Sequence, residues 1–179
     1  LPEGKQDPEF EKKTELAIKL IDLTLKRGYK PGIVIVDAGY GNNTSFLLEL
    51  ENRQLKYLGG LAKNRKVTVN QQPNNKQTLR LDELAQTLPQ EAFREIQLNL
   101  DKPRIVWVAT LEVEISRLQG KRSIAIVMNA ATFSQATDID YFITNISSSL
   151  VTAEWIVNTY SQRNWVTHCP LKSCQPLFC

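Results

Sequence analysis

Apolar positions recur at helical spacing near the start of the chain. Leu16, Leu20 and Leu23, with Ile21 beside them, predict a helix from about Phe10 to Arg27 that Gly28 ends. Pro31-Gly32 then turns the chain into Ile33-Val34-Ile35-Val36, a continuous β-branched run. A run apolar on both faces predicts a central strand covered on both sides. It stops at Asp37-Ala38-Gly39-Tyr40-Gly41, after which Asn42, Asn43 and Thr44 can start a helix through Phe46 to Leu50. Lys56 to Leu61 predicts a second, weaker strand, and Lys63 to Gln77 reads as a polar loop, basic at its start. Leu81 to Glu95 predicts a short helical stretch interrupted by Pro89. Ile105 to Val108 leads into the period-two alternation of Leu111 to Ile115, and Gly120-Lys121 turns it back through Ser123 to Val127. That pattern predicts a long antiparallel hairpin. Tyr141 to Asn145 predicts a last strand, and Ser147 to Ser149 a cap for a final helix from Val151 to about Val166. No internal repeat or low-complexity segment appears. The order of elements predicts one α/β domain with a β-rich insertion, about residues 57–146, before a C-terminal helix.

Composition changes this picture only locally. With 42% hydrophobic and 23% charged residues, the chain has an ordinary globular balance. A net charge of +3 permits contact with nucleic acid without demanding it. No apolar stretch approaches the length of a membrane span, so no membrane partner is expected. The opening Leu1-Pro2-Glu3-Gly4-Lys5 shows neither an initiator Met nor a signal-peptide core, which reads as a cytoplasmic protein and a segment of something longer. All three cysteines (Cys169, Cys174, Cys179) and the one histidine, His168, fall at the very end, so the composition changes near residue 167.

Two constellations can carry chemistry. Asp37 follows a buried strand, beside glycines that allow close approach, at the edge where open α/β sheets place their ligands. A carboxylate there suits a divalent metal, or it only caps the following turn, and residue chemistry leaves both open. Tyr160, Arg163 and Thr167 share one helical face, offering hydroxyls and a guanidinium suited to a phosphate or an acidic neighbour, or an ordinary amphipathic surface. Lys63, Arg65 and Lys66, with Lys121-Arg122, are further candidate DNA phosphate contacts, though small basic clusters are commonly solvated loops.

Val34 to Gly41 resembles the strand carrying the second catalytic Asp of cut-and-paste DDE insertion-sequence transposases. Tyr141 to Asn145, followed by Tyr160-x2-Arg163, is similar to the approach to their third carboxylate, within a Tyr-x2-Arg-x3-Glu-x6-Lys signature. Phe10 to Ala17 also resembles what precedes the Asp strand, and the likeness spans about residues 5–166. The resemblance implies a partial RNase H-like fold and an intact family that cleaves and joins DNA with two metal ions, Mg2+ or Mn2+. It makes Asp37 the second catalytic and metal carboxylate, and Tyr160 and Arg163 phosphate contacts at transposon ends. The implied partners are DNA and a full-length transposase, with nucleoid association when DNA is bound.

The departures are specific. Thr167 stands where the signature has Glu, Cys174 where it has Lys, and nothing before Phe10 reads as a strand bearing the first Asp. The expectation is a transposase fragment, inactive by itself and binding metal weakly, or a non-catalytic DNA-binding remnant that regulates a full-length enzyme. Thr167 to Cys179 resembles none of the family and reads as a junction or frameshift tail. His168, Cys169, Cys174 and Cys179 fit no established zinc spacing, which leaves free thiols as the reading.

Ordering those residues costs roughly 1–2 kcal/mol each, whereas burying Leu171, Leu177 and Phe178 returns only about 1.5–3 kcal/mol apiece. A chain stopped at Val166 is therefore expected to unfold at the same denaturant midpoint as the full chain, with all three native thiols open to a thiol reagent. Lost stability, protected thiols or stoichiometric zinc would show a docked tail.

Overall fold

The computed structural model describes residues 11–72, 75–98 and 103–163. Helix α1 (Lys13–Lys26) opens with the Glu15 carboxylate accepting from the Lys12 backbone N–H at 3.2 Å. It ends at Gly28, whose φ of 86° a Cβ-bearing residue would resist. Ala17, Ile18, Ile21 and Leu25 pack on the core, while Leu16, Leu20 and Leu23 face outward, each about half exposed. The recurring leucines that marked the helix are thus not its buried face. Asp22 ties α1 to helix α3 (Thr44–Asn52) through a two-pronged pair with Arg53, at 2.6 and 2.9 Å.

Strand β1 (Val34–Val36) pairs in parallel with β2 (Tyr57–Leu61), and every other pairing in the sheet is antiparallel. The remaining strands are β3 (Lys66–Gln72), β4 (Asn75–Arg80), β5 (Arg94–Leu98), β6 (Arg104–Glu114), β7 (Lys121–Met128) and β8 (Ile139–Thr144). The main path runs β1-β2-β8-β7-β6-β3-β4, with β5 also on β6. The predicted hairpin is β6–β7, turned at Gly120 (φ 75°). Between α1 and β2 lie the four-residue helix α2 (Ala38–Gly41) and α3; α4 (Leu81–Thr87) follows β4, and α5 (Ala153–Ser161) closes the described chain.

Alternation divides the apolar side chains between two faces. One cluster gathers Leu47, Leu50, Tyr57, Ile124, Ile126 and Ile143; the other packs Leu58, Val108 and Phe142 of the sheet against Ile156 and Val157 of α5. The mixed α/β architecture, with its mostly antiparallel eight-stranded sheet, is consistent with a partial RNase H-like fold carrying a β-rich insertion. No helix among the described residues is long and apolar enough to cross a membrane.

Several expectations need correction. The polar stretch Lys63 to Gln77 is not a loop: it supplies β3 and the start of β4, because Val67 and Val69 point into the core between solvated neighbours. Two buried side chains suffice where a facing strand completes the hydrogen bonds. The helical reading of Leu81 to Glu95 holds only as far as Thr87. Pro89 disfavours helical backbone at Leu88 (ψ 134°), and the chain then re-enters the sheet as β5. Ile33 to Val36 is not central, since β1 ends the sheet among the described residues, whereas the strand expected to be weaker, β2, is buried throughout. The cap of α5 is Thr152, whose hydroxyl accepts from Trp155 N at 3.0 Å, rather than Ser147 to Ser149, which form a preceding turn. The expected tail, Thr167 to Cys179, lies outside the described residues.

One largely buried ion pair fastens α3 to the sheet. Arg122 on β7 donates to both Glu51 oxygens at 2.8 and 2.6 Å, and the Tyr57 hydroxyl donates to Glu51 as well, at 2.9 Å. The Arg122 and Glu51 side chains are only 10% and 19% exposed. Removing one member leaves the other charged and shut away from water. Glu51→Ala is expected to lower stability by about 3 kcal/mol, measured by denaturant unfolding. A loss below about 1 kcal/mol, the level of surface pairs, would show that solvent already reaches the cluster.

Candidate functional site

Parallel pairing of β1 with β2 brings two strand ends to one edge of the sheet. Asp37 follows β1 directly and caps α2, its Oδ1 accepting from Tyr40 N at 3.2 Å. The capping role left open by residue chemistry is therefore present. Asp37 Oδ2 is also engaged, accepting from Arg163 Nη2 at 3.2 Å.

Glycines make this edge compact. A Cβ on Gly41 would lie 2.0 Å from the Gly60 carbonyl oxygen, and one on Gly60 would lie 3.0 Å from Ala38 N and 3.1 Å from the Tyr160 hydroxyl. Helix α2 thus rests on β2 backbone against backbone, and Tyr160 reaches over the same spot. Asn42 closes the arrangement by donating to Ala38 O at 2.6 Å and accepting from Ala62 N at 3.1 Å. Its polar side chain was read only as a helix starter. The role depends on α2 lying against the turn after β2, which local sequence does not display.

Tyr160 approaches from α5 and Arg163 from just past its C-terminal end. The Tyr160 ring packs on Phe142 with centroids 4.2 Å apart, and Arg163 lies 5.9 Å from the ring centroid, its Nη1 3.5 Å from the hydroxyl. Burial raises the Tyr160 pKa, Asp140 and Asp37 add to the rise, and Arg163 opposes it, so the hydroxyl stays a neutral donor. Thr167, the third residue of the expected helical face, lies outside the described residues.

Asp140 is a neighbour that sequence reasoning missed. Tyr141 pairs with Leu61 at the end of β2, which places Asp140 just past it on the Asp37 edge. Alternation sends it to the same face as Phe142, toward α5. Although the residue is solvent-accessible overall, protein packed around its carboxyl raises its pKa, Asp138 adds to this, and Arg104 offsets part. Alternation back from Phe142 was the available signal, but it becomes informative only once α5 is known to cover that face.

The basic candidates divide. Lys63 is exposed in the turn following β2, whereas Lys66, also exposed, opens β3 beside Glu114 and the β6–β7 turn, away from the Asp37 edge. Arg65 turns inward, donating to Asn42 O at 2.9 Å and Thr44 Oγ1 at 2.6 Å, with Nε buried and unpartnered among the described residues. Burial lowers its pKa. Lys121 pairs with Glu112 at 3.3 Å, and Arg122 is committed to Glu51. Thr144 and Asn145, which end the segment resembling the approach to the third carboxylate, bind backbone: Thr144 donates to Tyr57 O at 2.6 Å, and Asn145 accepts from Tyr57 N and donates to Leu55 O.

The family model described as DDE superfamily endonuclease matches residues 2–98, more than half of the 179-residue chain, and the chain belongs to that family. No curated protein matches the chain. The match contains Asp37, Lys63 and Lys66; Tyr160 and Arg163 lie beyond it. DDE nucleases act on DNA and generally use divalent metals. The described residues do not fit such a centre: they bring no three His, Cys, Asp or Glu side chains together, and both Asp37 oxygens already accept from protein donors.

The glycine contact carries a prediction. Gly41→Ala drives a methyl into the Gly60 carbonyl, a backbone atom that no rotamer change relieves. The substitution is expected to cost about 1–3 kcal/mol by denaturant unfolding. Gly32→Ala, where a Cβ meets nothing within 4 Å, should leave the midpoint close to the parent's. Equal midpoints for Gly41→Ala and the parent would mean that α2 does not rest on β2 in solution.

Proposed function

We propose that this chain is part of a DNA transposase and that, by itself, it engages DNA phosphates without cutting or joining them. The observation that carries this reading is the Asp37–Arg163 pair beside Tyr160, at the end of a strand inside the matched region. Asp37 stands where the resemblance puts the second catalytic carboxylate. A phosphodiester suits the neutral Tyr160 hydroxyl and the Arg163 guanidinium, and exposed Lys63 lies in the turn that leaves β2 at this end. Arg65 serves this surface by holding the turn in place.

Two-metal phosphoryl transfer needs several carboxylates around the reacting phosphate. The signature position for the third holds Thr167, whose hydroxyl cannot supply the missing charge. A non-catalytic DNA-binding module that interferes with a full-length transposase is the second reading, favoured by the exposed Lys63 in the turn after β2.

Two measurements test the proposal. Incubated with a transposon-end duplex and Mg2+ or Mn2+, the chain is expected to leave the DNA intact; cleavage that disappears in Asp37→Ala would overturn the inactive reading. Retention on duplex DNA should weaken as salt rises, because displaced counterions drive binding. Removing one phosphate contact through Lys63→Ala should lower the slope of log K against log salt by about one. Salt-independent retention, or none at low salt, would remove the DNA-binding role.

A further inference from the structure

The same guanidinium faces two anions, one in the protein and one in the proposed ligand. Arg163 Nη2 donates to Asp37 Oδ2 at 3.2 Å, and Nη1 lies 3.5 Å from the Tyr160 hydroxyl. Nη2 contributes one N–H to each of the two forks that a guanidinium offers to a phosphate, and Asp37 has taken one of the two. Asp37 is anchored by its capping bond to Tyr40 N and by the backbone contact of α2 with β2, so it does not follow Arg163 outward. The pair is 40% and 42% exposed, open enough for a ligand to reach and for solvent to weaken.

We infer that Asp37 is an internal competitor for the phosphate-binding guanidinium of Arg163, so that a phosphodiester taking the fork that Asp37 occupies must displace the carboxylate. The inference rests on the proposed role of Arg163 as a phosphate contact. It adds a function for Asp37 that requires no cation: the carboxylate disfavours weak anions at the guanidinium and yields to a polyanion that also engages Lys63. Release of Asp37 and capture of the phosphate are one exchange of hydrogen-bond partners, with no net change in protonation.

The test is a double-mutant cycle on the full chain, read as affinity for a short duplex DNA in EDTA, with folding checked by thermal melts. Asp37→Asn keeps the cap acceptor while removing the charge, and is expected to tighten binding about two- to fivefold, the range set by exposed ion pairs. Arg163→Gln should weaken binding. In the Arg163→Gln background, Asp37→Asn should bring no gain, because no guanidinium is left to release. An equal gain in both backgrounds would reduce the effect to simple repulsion between Asp37 and DNA and overturn the inference. Weakening by Arg163→Gln with no gain from Asp37→Asn would overturn it while leaving Arg163 a phosphate contact. Unchanged binding in Arg163→Gln would remove the phosphate role itself, and the competition with it.

Discussion

Helix α2 can lie against β2 only because neither Gly41 nor Gly60 has a side chain. The contact is between backbones, and a single Cβ would fall 2.0 Å from a carbonyl oxygen. Much of the Asp37 edge follows from it. Close seating aims the first turn of α2 so that Asp37 caps it with one oxygen and leaves the other toward α5. It brings Asn42 within reach of Ala62, fixing the turn that carries Lys63. It also leaves room over Gly60 for the Tyr160 hydroxyl, which would otherwise meet a side chain.

That geometry sets the electrostatics of the edge. Asp37, Asp140 and Arg163 surround a tyrosine whose hydroxyl burial keeps neutral, and the guanidinium is the cation paired with Asp37. Such a surface is self-compensated, and its affinity for an outside ion is a difference between the new contact and the internal one it replaces. Belonging to the DDE superfamily endonuclease family therefore leaves open which charges reach the DNA. The pairing of Arg163, the inward turn of Arg65 and the core commitment of Arg122 remove cations that composition alone would offer to a phosphate.

The sheet supplies the rigidity. β2 is buried throughout, held by β1 on one side and β8 on the other. Thr144 and Asn145 lock the far end of β2 with three hydrogen bonds to its backbone and to Leu55. Through β8, Phe142 carries Tyr160, so the hairpin block reaches the Asp37 edge by a short packed route. The β-rich insertion is thus the wall on which α5 is mounted.

Hydrophobic periodicity determined much of this by itself. α1, the β1 run, the β6–β7 hairpin turning at Gly120 and the helix containing Tyr160 could be read from local pattern, because repeating apolar positions impose those periods. The cap that Asp37 makes on the following turn was one of the two roles its place after a β-branched run allowed. Tertiary structure decided what depends on residues distant in the chain. β3 exists because β4 and the core complete two valines' worth of alternation, and Leu16, Leu20 and Leu23 face outward because the rest of α1 covers α3 and the sheet. Asp140 joins the edge through strand register, and Asp37 meets Arg163 across 126 residues of sequence. Local pattern records the period of a segment, but the partner of a charge is set by which backbones come close enough to share an edge.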